Sequence, residues 1–454
     1  MLEPATGESL MRETRDTQLR LAPGVMDHER GRELVAMSEV LDAVPEILEF
    51  IRADLLDRGQ DPERGRPGLT AEQVLRALVI KQMNQFSYDE LAFHLGDSVA
   101  YRTFCRFGFS DPSPRKSALQ QNIKSLHPET LEQVNRVLIA HAEAEAIEKG
   151  RKVRCDSTVV EANIHEPTDS RLLYDVVRVL ARIMNDQKLP RGSAFKDETR
   201  RAKRLNTKIW NAKDRDAREP VYRELVKVAR RAIRAAKDVA NKLDKKSDEG
   251  KAVAAELHRF VELGLRVIDQ TVRRVFREEK VPATEKVVSI FEPHVDILVK
   301  DRRETLYGHK VYLTSGASSL ILDCTIEPGN PADSTLTTKL IERLEGIYDR
   351  APRQASFDGG FASRANLTAV KEKGVKDVAF SKKCGLKIAE MVTSSTVYQK
   401  LRNFRAGIEA GISFLKRSFG LDRCTWRGLE SFQAYVWSSI ISANLLVLAR
   451  HSLG

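Results

Sequence analysis

The sequence lacks the features that mark secreted, zinc-binding and membrane-spanning proteins. No two of its five cysteines form a CxxC pair, and none has the spacing of a zinc site. Residues 1–18 contain early acids and no apolar h-region, which argues against a secretory signal. Residues 434–448 are the most apolar stretch, but Trp, Ser and Asn interrupt them and they are too short to span a bilayer. We therefore expect a cytoplasmic protein with a buried C-terminal helix and no membrane partner.

The chain has an excess of positive charge that is concentrated in one segment. The 454 residues carry a net charge of +11, and residues 188–246 alone contain 20 basic and 8 acidic residues. The length predicts two or three domains, and hydrophobic residues make up 42% of the chain, which is enough for packed cores. A basic segment in an otherwise near-neutral chain indicates either a solvated helical face or contact with an anionic partner.

Two short segments, far apart in the chain, each predict a strand that carries an aspartate. Residues 152–160 are rich in β-branched residues and contain Asp156. Residues 353–358 predict a second strand, which ends at Asp358 because a glycine pair follows it. Hard divalent cations select charged oxygen ligands, so these carboxylates are candidates for a metal site if a third one joins them.

A third segment, around Glu409, predicts a helix with a charged stripe. Arg405, Glu409, Ile412 and Lys416 are four, three and four residues apart, so they share one helix face. In the plainest interpretation Arg405 and Glu409 form an exposed pair worth about 0.2–0.5 kcal/mol, and Asp156 and Asp358 are ordinary residues at strand ends. Each segment alone favours that interpretation, whereas the ordered set of three is much more specific.

Together, the segments resemble bacterial insertion-sequence transposases with a DDE catalytic domain, close to the ISNCY family and the group with an InsH-type N-terminal domain. That group has a helix signature of Tyr, two residues, Arg, three residues, Glu, six residues and Lys. Arg405, Glu409 and Lys416 match the signature in register, while Arg402 stands in place of the tyrosine and Tyr398 lies one turn earlier.

The resemblance implies a mixed α/β fold with a ribonuclease-H-like catalytic domain, a helical N-terminal DNA-binding domain and a long basic helical insertion. Residues 307–313 and 320–325 are also similar to the group and would form the second and third strands of the sheet as a hairpin. The expected divisions are 1–60, partly helical; 61–145, helical and helix-turn-helix-like; and 146–454, catalytic, with the insertion at 168–290.

By the same resemblance, Asp156, Asp358 and Glu409 would be catalytic and would bind two Mg²⁺ ions, for which Mn²⁺ can substitute. One ion would activate a water or a DNA 3′-hydroxyl, and the other would stabilise the leaving oxygen. Such enzymes cleave double-stranded DNA at the terminal inverted repeats of their element and join the freed 3′-hydroxyls to target DNA. Lys416 would hold a terminal phosphate, and Arg405 would contact the DNA backbone or orient Glu409. Since two ends are handled together, a homodimer on DNA is expected, associated with the nucleoid when bound.

Two further residues are auxiliary candidates for the site. His165 follows the first strand and could contact the scissile phosphate or a metal-bound water, although a lone histidine is more often a hydrogen-bonded structural residue. Asp333 follows the third predicted strand and is a reserve carboxylate.

The basic insertion is predicted to contain a helical hairpin that breaks near Glu219 and Pro220. Thr168 or Asp169 would cap the helix that leads into it. The charges could simply keep a solvated insertion soluble, but its position inside a nuclease fold favours neutralisation of DNA phosphates. The residues expected to contact DNA are Lys203, Arg204, Arg230, Arg231 and Arg234.

The N-terminal region carries two capping boxes, Thr70 with Gln73 and Ser87 with Glu90. The first predicted helix runs to about residue 84 and the second through residue 95. Short helices joined by tight turns fit a helix-turn-helix-like DNA module or a small bundle for dimer contacts, and periodicity does not separate the two. Residues 64–67, Arg-Gly-Arg-Pro, resemble the core of an AT-hook, for which a simple loop is the plainer interpretation.

Two other functions stay open on the sequence alone. One is a DNA-binding protein with an inactive nuclease fold, against which the intact set of three carboxylates argues. The other is a metal-dependent DNA nuclease without strand transfer, which the sequence does not distinguish from a transposase.

Overall fold

The computed structural model describes residues 28–56, 68–108, 110–187, 195–243, 247–300 and 304–454. It is a mixed α/β structure, as predicted, with a mostly helical N-terminal region and a sheet. The chain divides into two compact units, of which the first comprises residues 1–161 and 309–454 and the second residues 162–308. The AT-hook-like residues 64–67 lie outside the described residues.

Sixteen α-helices lie within the described residues. In chain order they are α1 Glu29–Ala43, α2 Ile47–Leu56, α3 Ala71–Asn84, α4 Tyr88–Asp97, α5 Val99–Phe104, α6 Lys116–Ile123, α7 Pro128–Ala144, α8 Asp169–Asn185, α9 Thr199–Asn211, α10 Arg215–Leu243, α11 Asp248–Thr271, α12 Thr337–Tyr348, α13 Arg364–Glu372, α14 Ile388–Met391, α15 Ser395–Phe419 and α16 Leu429–Leu453. Both predicted capping boxes are present, at Thr70 and Ser87. Helix α3 stops at Asn84 because Gln85 adopts the left-handed conformation.

The sheet carries the two predicted aspartate strands. Its strands are β1 Lys152–Glu161, β2 Asp296–Lys300, β3 Glu304–Ser315, β4 Ile321–Ile326, β5 Gln354–Phe357 and β6 Asp377–Phe380. In the first unit β3, β1, β5 and β6 lie in that order, β1 and β6 are both parallel to β5, and β4 pairs antiparallel with β3. The predicted hairpin is therefore present as β3 and β4.

One strand was missed by the sequence analysis. β2 pairs antiparallel with residues 304–308 of β3, so the hairpin strands are the third and fourth of the chain and not the second and third. The five residues of β2 are too few for alternation to distinguish a strand from a loop.

One hydrophobic core runs through the first unit and includes the N-terminal helices, the sheet and α16. Helix α16 is long and apolar enough to cross a membrane, yet 89% of its apolar window is buried, as expected of a core helix. Polar side chains fix it in place: Gln82 donates to Ser439 (3.1 Å), and Asn444 donates to Asn135 (2.8 Å) and accepts from the Ile321 N–H (2.9 Å). The predicted buried C-terminal helix is confirmed, and it is longer than residues 434–448.

The second unit contains α8 to α11, packed around a core of its own. Thr168 caps α8 by accepting from the Arg171 N–H. The predicted break at Glu219 and Pro220 is wrong, because the chain turns at residues 212–214 and Pro220 lies inside α10. Asp214 accepts from the Ala217 N–H at 2.8 Å and so starts α10, and a proline in the second turn costs few of the helix hydrogen bonds.

Candidate active site

Asp156 and Asp358 come together through the register of two parallel strands. Cys155 of β1 lies opposite Phe357 of β5, so the aspartates that follow these residues lie at the same height on neighbouring strands. Asp156 is buried, with 9% of its surface exposed, and Asp358 is partly exposed beyond the end of β5. The two predicted aspartates are therefore neighbours on adjacent strands. Asp358 follows the end of β5 as predicted, whereas β1 continues to Glu161, so Asp156 lies within its strand and not at the strand end.

Helix α15 adds the third predicted carboxylate, and Arg405 lies among all three. The Nη2 atom of Arg405 is 2.6 Å from Asp156 Oδ2 and 3.4 Å from Asp358 Oδ1, and its Nη1 atom is 3.0 Å from Glu409 Oε1. The arginine side chain is only 16% exposed, whereas that of Glu409 is 66% exposed. The three carboxylates thus converge on one guanidinium.

Three contacts fix α15 against the sheet. The hydroxyl of Tyr398 donates to the Phe380 carbonyl (2.9 Å), and Ser356 donates to the Leu401 carbonyl (3.0 Å). Arg154 of β1 donates to the Phe404 carbonyl (2.9 Å) and packs so closely on Gly407 that a Cβ there would overlap it. Tyr398, one turn before the signature, therefore serves to anchor the helix.

The two aspartates have opposite pKa shifts although they are neighbours. Burial raises the pKa of Asp156, and this outweighs the opposing effect of Arg405. Burial also acts to raise the pKa of Asp358, but hydrogen bonds from Ser381 (2.7 Å) and the Gly359 N–H, together with Arg405, lower it below its usual value. The site therefore favours an ionised Asp358 more strongly than an ionised Asp156.

Asp333, the reserve carboxylate, lies beside the same strands. Its Oδ1 atom is 2.7 Å from Lys310 Nζ and accepts a long hydrogen bond from Ser157 (3.5 Å). Its Oδ2 atom approaches Gly360 so closely that a Cβ there would be 2.6 Å away. Asp333 is thus held against the residues that follow Asp156 and Asp358, with a lysine as its counter-ion.

The donor chemistry of the three carboxylates fits a hard divalent cation, since all three supply charged oxygens. Within the described ranges, however, no group of three or more His, Cys, Asp or Glu side chains is arranged to hold a metal ion. Arg405 occupies the point at which the carboxylates converge. A metal could be held by Asp156, Asp358 and Glu409 only if Arg405 turned away from them.

The other predicted site residues are spread over the chain. Lys416 is 3.2 Å from Asp422 at the end of α15, and His165 is exposed in the second unit. The predicted DNA-contacting residues of α9 and α10 are all exposed. Among them Arg231 is engaged by Glu198 (2.7 Å), whereas no ion pair within the described residues involves Lys203, Arg204, Arg230 or Arg234.

Sequence reasoning missed the residues that support the site. Lys310 belongs to residues 307–313 of the predicted hairpin, but no local sequence pattern pairs it with Asp333. Ser381 follows β6 as Asp358 follows β5. Equivalent positions after two parallel strands lie close together, and this could have predicted the contact between Ser381 and Asp358. Arg154 lies two residues before Asp156, and the small residue at Gly407 was a hint that another chain segment approaches closely.

Two family models match the chain. A transposase DDE domain model matches residues 264–445, which include Asp358 and Glu409 but not Asp156, and a transposase domain model (DUF772) matches residues 26–125. No curated protein and no solved structure matches significantly. The DDE model implies a ribonuclease-H-like fold and a nuclease and transferase chemistry with DNA as the partner. The two matches, one over the N-terminal helices and one over most of the sheet and α15, together support an insertion-sequence transposase.

Proposed function

We propose that the chain is a DDE transposase of the ISNCY type, with an InsH-type N-terminal domain, and that Asp156, Asp358 and Glu409 form its catalytic triad. The observation that supports this most strongly is their convergence: two neighbouring strands and one helix bring three carboxylates to within 3.4 Å of a single guanidinium. Structural ion pairs seldom need three acids for one base, because two of the negative charges stay uncompensated.

The proposed reaction has two steps at phosphorus. Water attacks the phosphodiester at the end of the element, and the bond to the 3′-oxygen breaks to give a 3′-hydroxyl. That hydroxyl then attacks a target phosphodiester, forms the new bond and releases the 3′-hydroxyl of the target strand. Neither step needs a covalent enzyme intermediate.

In this proposal the triad holds two Mg²⁺ ions, or Mn²⁺ in their place. The bound metal supplies Lewis-acid stabilisation and a more acidic water. Arg405 neutralises the carboxylates of the DNA-free chain and, once it turns away, can pair with a backbone phosphate, for which its planar fork is suited. Asp333, held by Lys310, and His165 are auxiliary groups.

The remaining parts of the proposal concern DNA and assembly. Residues 61–145 and the basic faces of α9 and α10 would contact duplex DNA, including the terminal inverted repeats, and a homodimer would hold two ends. The enzyme would act in the cytoplasm, on the nucleoid. The divisions 1–60, 61–145 and 146–454, with the insertion at 168–290, stay part of this proposal.

The test is cleavage of labelled DNA that carries the ends of the element, in Mg²⁺, by the wild type and Glu409→Gln. The substitution keeps the size of the side chain and removes its charge. We expect cleavage by the wild type, no cleavage by the variant, and unchanged DNA binding. Glu345→Gln, at a glutamate of α12 that pairs with Lys373, is the matched control and should cleave normally.

Equal cleavage by the wild type and Glu409→Gln would remove Glu409 from the triad. Binding without cleavage by the wild type would favour a DNA-binding protein with an inactive nuclease fold. A plasmid-integration assay with matched terminal repeats separates a transposase from a nuclease, because only strand transfer yields joined products.

A further inference from the structure

A cleft of about 670 Å³ opens in the first unit beside the end of α15. Helices α3, α4 and α6 form one wall, and the end of α15, residues 420–426 and Tyr435 of α16 form the other. The cleft is polar and cationic: it is lined by four lysines and one arginine against three carboxylates. Two of those carboxylates are already paired, Asp89 with Lys116 and Asp422 with Lys416.

Lys81 lies at this cleft with no carboxylate partner. The residue is only 4% exposed, and its ammonium lies over the rings of Tyr88 (5.0 Å) and Trp426 (5.9 Å). Within the described residues no hydrogen-bond acceptor or ion-pair partner meets its Nζ atom. Burial lowers the pKa of Lys81 to about 8. Cation–π contacts contribute about 0.5–2 kcal/mol, which does not offset the several kcal/mol that burying an ammonium costs.

The two aromatic residues beside Lys81 each carry an unused polar group. Tyr88 Oη and Trp426 Nε1 are buried and have no hydrogen-bond partner among the described residues. A buried donor left unsatisfied costs about 1–3 kcal/mol. An ammonium, a phenol and an indole N–H at one cleft together require an acceptor-rich, negatively charged group, and a phosphate has several oxygens that accept from all three.

The position of the cleft relates it to the candidate active site. Lys416 lines the cleft and lies seven residues after Glu409 on the same helix, which places it roughly 10 Å further along the helix axis at 1.5 Å per residue. A DNA strand covers that length in about three nucleotides at 3.4 Å each. A strand bound at the carboxylates therefore has a phosphate within reach of the cleft.

We infer that this cleft is a phosphate-binding site in which Lys81, Tyr88 and Trp426 hold one phosphate group of the bound DNA strand, close to its scissile bond. The inference rests on the proposed function for the source of the phosphate, but the site itself follows from the cleft and its unpaired donors. It gives the N-terminal helices a direct part in positioning the strand that the sheet and α15 would cut.

The test measures binding of two short duplexes, one with 5′-phosphates and one with 5′-hydroxyls, by fluorescence anisotropy over a range of salt concentrations. Lys81→Met keeps the length and burial of the side chain, so it is expected to fold, and thermal unfolding verifies this. Trp426→Phe removes the N–H and keeps a ring under the lysine. Lys339→Met, at an exposed lysine of α12 that pairs with Glu327 outside the cleft, removes the same charge as a control.

We expect Lys81→Met to bind at least about tenfold more weakly than the wild type, as the loss of a charged hydrogen bond predicts, with a salt slope reduced by about one unit. Trp426→Phe should show a smaller loss and Lys339→Met none. A loss confined to the 5′-phosphorylated duplex would identify a terminal phosphate, and an equal loss on both duplexes would identify a backbone phosphate. Wild-type affinity and slope in folded Lys81→Met would overturn the inference.

Inorganic phosphate separates failure of this inference from failure of the proposed function. If the wild type binds neither duplex, the proposed function is wrong and DNA is not the source. In that case, phosphate binding that calorimetry detects in the wild type and does not detect in Lys81→Met would still support the cleft, and no phosphate binding by the wild type would overturn it.

Discussion

The two compact units contain many charges but treat them in opposite ways. In the second unit the basic residues of α9 and α10 are exposed, and several pair with acids of the same segment, as Arg231 and Arg201 do with Glu198. In the first unit Arg405 is 16% exposed and contacts three carboxylates, and Lys81 is 4% exposed and contacts none. The second unit therefore has the larger excess of positive charge, but its charges are exposed and lose little hydration free energy on folding.

This difference teaches that burial, more than charge density, locates chemistry in this chain. An exposed ion pair contributes about 0–1 kcal/mol and is screened by salt, so the basic helices can vary with little consequence for stability. A buried charge without its full set of partners costs several kcal/mol, and such an arrangement persists when a ligand benefits from it. Arg405 and Lys81 are therefore stronger pointers to function than the basic segment that dominates the sequence.

The largest expected effect compares two buried aspartates, each held by an arginine. Asp156→Asn should lower DNA cleavage at least about 100-fold, beyond the 10–100-fold typical of outer-shell residues, with no loss of stability, because burial already disfavours its charge. Asp169→Asn weakens the interactions with Arg274 (3.0 Å) and Gln270 (3.1 Å) and should lower the unfolding free energy by about 1–3 kcal/mol while cleavage at low temperature persists. Cleavage assays and thermal unfolding of both variants measure these two effects. Similar losses of cleavage in both variants would contradict a catalytic role for Asp156 and a purely structural role for Asp169.

An intermediate effect is expected from pH. Binding of phosphate needs a charged Lys81, and burial lowers the pKa of Lys81 to about 8, with Cys424 and Glu90 acting to raise it and Lys124 to lower it. The lysine is mostly protonated at pH 7 and mostly neutral at pH 9, so DNA affinity should fall about tenfold between these values. Burial raises the pKa of Tyr88 and of Tyr435, so neither tyrosine ionises in this range.

The control for the pH experiment is Lys81→Met, whose weaker affinity should stay constant from pH 7 to 9. A wild-type affinity that is also constant would mean that Lys81 does not bind DNA in its charged form. The exposed arginines of the second unit stay charged throughout, so they contribute nothing to the expected pH dependence.

The smallest effect is expected in the second unit and depends on pairing within it. Replacing both Arg230 and Arg234 with glutamine should reduce the salt slope of DNA binding by about 0.9 for each phosphate that these arginines neutralise in the wild type. Arg231→Gln should change it less, because Arg231 already donates two hydrogen bonds to Glu198, at 2.7 and 2.8 Å. Anisotropy titrations at several salt concentrations compare the variants, and equal slopes in all of them would assign the basic face to solubility.

The sequence predicted what local patterns determine. A run of β-branched residues predicted β1, a glycine pair predicted the end of β5, and helical spacing predicted α15. The elements that carry Asp156, Asp358 and Glu409 could therefore be predicted from the sequence. Pro220 shows the limit of such rules, since the cap at Asp214 decided where α10 begins. The placement of Arg405 among three acids, and of Lys81 beside Trp426, could not be predicted, because each depends on segments that are far apart in the chain and meet only when the core forms.

The shared core of the first unit has a consequence for biosynthesis. Helix α16 contacts α1, α3 and α7, and Arg450 pairs with Glu33 at 2.8 Å, so these three helices leave the ribosome before the helix that completes their packing. Domains usually fold as units during synthesis, N-terminal part first, but here α1, α3 and α7 would keep exposed apolar faces until α16 has been synthesised. A message truncated before residue 429 would therefore yield an incompletely packed chain that proteases can remove, because α1, α3 and α7 would lack the helix that packs on them.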